Sequence, residues 1–156
     1  MKIVEYVDKT AIIAMMTAAV YTDIREGKIY NALTFSFFVG GVCLRILTGD
    51  AARVPGILGA AAAVTALLFP FYRLGGIGAG DIKLFAAAGA FMGPLLLAQC
   101  VGLAFLIGGA ASAVLLLMGK GLRHRMHFAV PIAVSAIALS AVPSLSERIT
   151  AWCGGL

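Results

Sequence analysis

Two aspartates stand where an apolar block meets a polar one. Asp23 follows an apolar stretch, and Asp81 precedes the run Ile82-Lys83-Leu84-Phe85-Ala86-Ala87-Ala88. Two carboxylates a few ångströms apart cannot both ionise, so such a pair holds one shared proton near its working pH. One member then takes a proton from water while the other, protonated, polarises a carbonyl. That is the chemistry of peptide hydrolysis without a metal. Each residue also has a plainer reading. An Asp ahead of an apolar run is a good helix N-cap, which would account for Asp81 alone. Asp23 falls at a helix C-terminus, where a negative charge opposes the macrodipole and capping gives no reason for it.

Asp81 is preceded by Gly75-Gly76-Ile77-Gly78-Ala79-Gly80. A cap needs one permissive residue, whereas a run of glycines lets another backbone, such as an extended peptide, come close. Phosphate binding is the rival use of such a loop, but no G-K-[ST] follows. Glu26 lies in the loop after Asp23, between Arg25 and Lys28, as a solvated charge or a contact for a basic peptide. Lys83 is a boundary anchor for the helix or a partner for Asp81 or substrate. Asn31 is placed as the cap of the second helix, and Asp50 as a solvated turn residue. His124 and His127 lack partners at ligand spacing, and Cys43, Cys100 and Cys153 lie far apart with no C-x-x-C. No metal site is expected.

The chain that must position these groups has 156 residues, 62% of them hydrophobic and 12% charged, with a mean hydropathy of +1.02. A core of this size cannot hide that excess, because a domain of about 150 residues leaves roughly 30% of its chain surface exposed. A soluble enzyme, a disordered chain and a secreted disulfide scaffold are excluded. The net charge of +5 is dispersed between apolar blocks, so no basic stripe for nucleic acid exists. The expected partner is the lipid bilayer.

Apolar segments over residues 10–22, 32–48, 54–72, 81–92, 94–118 and 128–145 predict six crossings of an all-α polytopic membrane protein, a single membrane-embedded domain over residues 1–156. The uncharged stretch 84–118 would be roughly 52 Å long as one helix and must turn back in a hydrocarbon core about 30 Å thick. Gly93-Pro94 is the natural break. Arg45 interrupts the second segment and is expected to snorkel toward its end. The paired glycines 40–41 and 108–109 and the alanines 60–63 fit close helix packing. Arg25, Lys28, Arg73, Lys83, Lys120, Arg123 and Arg125 share one side, against Lys2, Lys9, Arg45, Arg53 and Arg148 on the other. The first side is therefore assigned to the cytoplasm. A cleaved signal peptide over the N-terminal segment is the minor alternative, opposed by Glu5 and Asp8.

Gly78-Ala79-Gly80-Asp81, with Asp23-Ile24-Arg25 and Ile29-Tyr30-Asn31 upstream, resembles the type IV prepilin peptidases, membrane aspartic proteases with a G-x-G-D motif. The likeness covers about residues 21–136 and includes the proline-containing Phe128-Ala129-Val130-Pro131-Ile132-Ala133. It implies removal of a basic leader from a prepilin at the cytoplasmic face of the inner or plasma membrane. Asp23 and Asp81 fall on the catalytic positions, Gly78 and Gly80 on the motif glycines, and no cofactor is implied. Two features depart from the family. Tyr30 stands where many members have proline, and there is no C-x-x-C domain. The second departure resembles the short, peptidase-only branch serving Flp-type pilins, without methyltransferase activity. Pilus assembly machinery is a further expected partner. The alternatives are a G-x-G-D protease for other signal or membrane substrates and a non-catalytic transport or assembly subunit.

Overall fold

The computed structural model describes residues 2–118 and 128–142. Six helices follow in order: α1 (Lys2–Glu26), α2 (Asn31–Leu47), α3 (Val54–Arg73), α4 (Ala79–Met92), α5 (Pro94–Leu117) and α6 (Ala129–Ala141). A single 3-10 turn, Ala51–Arg53, leads into α3, and there is no strand among the described residues. His124, His127, Lys120, Arg123, Arg125, Pro143, Arg148, Cys153 and the end of the sixth predicted segment lie outside them.

The predicted segments and the helices agree closely from α2 to α5. The first differs, since α1 continues well beyond residues 10–22 at both ends. Its ends are polar, and a hydropathy reading stops at charge while a helix does not. Glu5 and Lys9 pair one turn apart on this extension, at 2.7 Å. The break at Gly93 is as expected. Gly93 adopts φ +79°, a left-handed conformation closed to most residues, and Pro94 starts α5 at once.

α4 is the centre of the bundle and packs against all five other helices. Its residues Ile82, Leu84, Phe85, Ala87, Ala88, Ala90 and Phe91 are buried, as befits a helix apolar all round. Small residues let its neighbours approach. A Cβ on Gly41 of α2 would lie 2.7 Å from that of Ala90, and one on Gly89 would lie 2.7 Å from Leu97 Cδ2 of α5. Gly108 is met in the same way by Phe128, at 2.6 Å, whereas Gly40 and Gly109 face open space. Only one glycine of each pair is therefore a packing position, because adjacent helix residues point about 100° apart.

α3 and α5 are long and apolar enough to cross a membrane, and little of either is buried. Leu58, Leu67, Phe69, Leu95 and Leu106 are each at least half exposed. A continuous outward apolar surface of this extent marks a lipid-facing protein. The molecule is an all-α polytopic membrane protein. The alanines 60–63 do not form the expected packed seam throughout. Ala61 and Ala62 line an open groove of about 990 Å³ between α2, α3 and α4, with Phe38, Thr65, Lys83 and Ala87.

Candidate active site

The helix order places the loops α1–α2 and α3–α4 at one end of the bundle. Their contact is direct, since Gly80 of α4 lies against Ile29 of the first loop, where a Cβ would be 3.0 Å from Ile29 Cβ. α1 stops at Glu26 and Gly27 takes φ +67°, its N–H donating to Asp23 O at 2.9 Å. This left-handed turn after the last helical residue directs the chain across to α4. Asp23 therefore sits in the last turn of α1, half-buried, and Asp81 in the first turn of α4, 8% exposed. Both lie at the same end of the bundle, one at the close of α1 and the other at the start of α4.

Asp81 does not occupy the expected N-cap. Gly78 is the cap, with extended backbone, and Asp81 is the third helical residue. Its Oδ2 accepts the Gly78 N–H at 2.9 Å, the return half of a capping box. The helix begins three residues earlier than the apolar run suggested because Ala79 and Gly80 continue it without adding apolar surface. The hydrogen bond fixes one carboxylate oxygen at the positive end of the helix dipole. It also gives Gly78 a specific reason to be glycine, because a Cβ there would lie 3.0 Å from Asp81 Oδ2. Gly80 lies against the chain's own Ile29, which a Cβ there would crowd at 3.0 Å.

Asn31 is likewise not a cap. The cap position belongs to Tyr30, without a side-chain bond, and Asn31 Oδ1 accepts from Lys83 Nζ at 2.8 Å. Lys83 thus ties α4 to α2 at the mouth of the open groove. Glu26 is exposed and accepts a hydrogen bond from Tyr30 Oη across the turn. Tyr21 Oη similarly accepts from Arg25. Asp50 pairs with Arg53 at 2.9 Å in a largely solvated contact. Cys43 and Cys100 are free thiols, and Cys100 Sγ lies 3.3 Å from Ser135 Oγ in the interior. No group of three potential metal ligands occurs among the described residues.

One expectation fails outright. Arg45 does not snorkel. It is 5% exposed, and its Nη2 donates to Asp8 Oδ2 of α1 at 2.8 Å and to Phe91 O of α4 at 2.9 Å. An arginine inside an apolar segment needs a partner, and Asp8, excluded from the first segment by its charge, was the available carboxylate. Ile29 and the Lys83–Asn31 bond were also beyond reach, because pairing across separate helices leaves no spacing signal.

Residues 10–118 match the type IV leader peptidase family. The match begins earlier than the motif-based likeness and ends before the proline-containing α6. Over 127 residues the chain is 32% identical to a prepilin leader peptidase/N-methyltransferase of Bacillus subtilis (strain 168), covering 80% of this chain and 51% of that protein. It is also 32% identical over 125 residues to proteins of the same name from Burkholderia pseudomallei strains 1026b and K96243, covering 76% of this chain and 39% of each. The chain thus spans about half or less of the length of these relatives. No solved structure matches it. With a family match running from α1 through α5, across both aspartates and the loops that join them, this chain belongs to the type IV leader peptidase family.

Proposed function

We propose that this protein is a membrane aspartic endopeptidase that removes the basic leader of a type IV, Flp-like prepilin. The observation that carries this reading is the placement of Asp23 and Asp81 on two different helices at one end of the bundle, in the last turn of α1 and the first turn of α4. In this reading the pair shares one proton. The ionised member takes a proton from water, whose oxygen attacks the scissile carbonyl carbon. The protonated member donates to the carbonyl oxygen as it becomes tetrahedral. Collapse of that intermediate breaks the C–N bond as the first aspartate gives the water proton to the leaving nitrogen and the second takes back a proton from the tetrahedral hydroxyl, which restores the pair. The Gly78 N–H holds one oxygen of Asp81, which limits rotation of the carboxylate and leaves its other oxygen for the reaction.

Arg25, Lys28, Arg73 and Lys83 belong to the end that carries the aspartates. By the positive-inside rule that end faces the cytoplasm of a cell-membrane protein, where an unprocessed precursor is available. Glu26 at the rim offers a carboxylate to a basic leader. Residues 1–156 are read as one membrane-embedded peptidase domain, with prepilin and pilus assembly machinery as partners. The proposal concerns peptide cleavage, the step that a pair of carboxylates can carry out.

The test is co-expression with a candidate Flp-type prepilin, comparing wild type, Asp23→Asn and Asp81→Asn at equal membrane abundance. A mobility shift seen with wild type and lost in both variants is expected. Cleavage that survives both substitutions would sink the two-aspartate mechanism.

A further inference from the structure

α4 has 14 residues and is therefore roughly 21 Å long, shorter than a hydrocarbon core of about 30 Å. With Asp81 at one boundary, its C-terminal end stops inside the bundle. The last carbonyls of a helix lack intrahelical partners, and here they belong to the buried Phe91 and Met92 among others. Gly93 turns directly into α5, so no capping residues follow. Gly93 N–H serves Gly89 O at 2.9 Å, and Phe91 O is served by the Arg45 guanidinium at 2.9 Å. The same nitrogen bonds Asp8 at 2.8 Å. The cation suits the negative end of the α4 dipole, and Asp8 supplies its counter-charge.

We infer that the Asp8–Arg45–Phe91 contact is a positioning clamp, which sets the height of α4 against α1 and thereby the separation of Asp81 from Asp23. The inference rests on the peptidase reading only in taking those aspartates as the reacting pair. Its basis is mechanical. α1 runs unbroken from Asp8 to Asp23, roughly 22 Å, and α4 unbroken from Asp81 to Phe91, roughly 15 Å. A helix transmits an axial shift from one end to the other. Both rods are bonded at the clamp to a single nitrogen, so an axial shift of either has to break a bond or reorient the Asp8 and Arg45 side chains. At the opposite end α4 emerges from the loop Leu74-Gly75-Gly76-Ile77-Gly78, whose glycines resist an axial shift weakly. The near-end bond to another helix, Lys83 to Asn31, is exposed, so the buried far end is the stronger constraint on the height of Asp81. Arg45 acts through the aspartates and touches no substrate.

A merely architectural arginine would affect stability and leave the aspartate geometry of the folded fraction alone. The two roles separate in a distance measurement. Spin labels are placed at cysteines introduced for Arg25 and Ala79, both exposed, with Cys43 and Cys153 changed to Ser. Pulsed spectroscopy then compares Arg45→Met, Arg45→Lys and Ser135→Ala, the last breaking the buried Cys100 contact instead. The expected result is a shifted and broadened distribution in Arg45→Met, a smaller shift in Arg45→Lys and none in Ser135→Ala. In a cleavage assay kcat of Arg45→Met falls about 100-fold, with KM within about twofold of wild type. If Arg45→Met does not accumulate, Arg45→Lys and Asp8→Asn carry the comparison. An unchanged distribution in the arginine variants overturns the clamp. A wild-type protein that cleaves no prepilin counts against the peptidase reading, and the distances still decide the clamp.

Discussion

At its N-terminal end α4 begins in a glycine-rich loop, with Asp81 held by one backbone N–H and Lys83 reaching sideways to Asn31 at the surface. At its C-terminal end it stops against a buried arginine whose single nitrogen serves two other helices. Both ends are polar groups in an apolar bundle with Asp81 and Arg45 alike buried, yet the first is tied to another helix only through an exposed lysine and the second through a buried, doubly bonded arginine. The difference follows from what each end has to admit. On the proposed peptidase reading a peptide and a water molecule have to reach Asp81, so that end cannot be sealed. Nothing has to reach Phe91, and burial there strengthens each hydrogen bond by excluding competing water.

Breaking the open end removes chemistry and leaves the fold. Asp81→Asn or Asp23→Asn is expected to lower cleavage at least about a thousandfold, the double variant being hardly worse because the two act as a unit. Denaturation in detergent checks that stability is kept. Breaking the closed end lowers stability as well as cleavage. Arg45→Met leaves Asp8 without its counter-charge and is expected to cost about 3 kcal/mol of stability, read from the same denaturation curves. Equal stability losses for Asp81→Asn and Arg45→Met would erase the contrast.

Smaller perturbations sharpen it. In Gly80→Ala the new methyl sits 3.0 Å from Ile29 Cβ. The first loop must move, and a stability loss of about 1 kcal/mol with about tenfold slower cleavage is expected. Ile29→Ala in the same chain makes room and restores most of both, which a purely conformational effect of the alanine would not permit. The smallest effect belongs to Lys83→Ala, whose exposed bond to Asn31 contributes about 0.5 kcal/mol. A large loss of cleavage in that variant with normal stability would move Lys83 from tether to substrate contact.

Much of this molecule follows from the order of its residues. Hydropathy places the lipid-facing α3 and α5, because lipid contact demands long uncharged runs wherever the neighbouring helices lie. Gly93-Pro94 marks the turn into α5, since backbone sterics at these two residues are local. Asp23 and Asp81 are legible as a candidate pair from their borders and from the motif around Asp81. The folded chain alone decided the rest. Asp81 became the third residue of its helix, Asn31 a partner for Lys83, Gly80 a seat for Ile29, and Arg45 an inward clamp instead of a snorkelling anchor. Each of these depends on a group from another helix, and a side chain's environment is fixed by what packs against it. Local preference limits the shapes each segment can take. Which polar groups meet inside an apolar bundle is settled only when the helices assemble, because there every buried donor and charge must find its partner among the others.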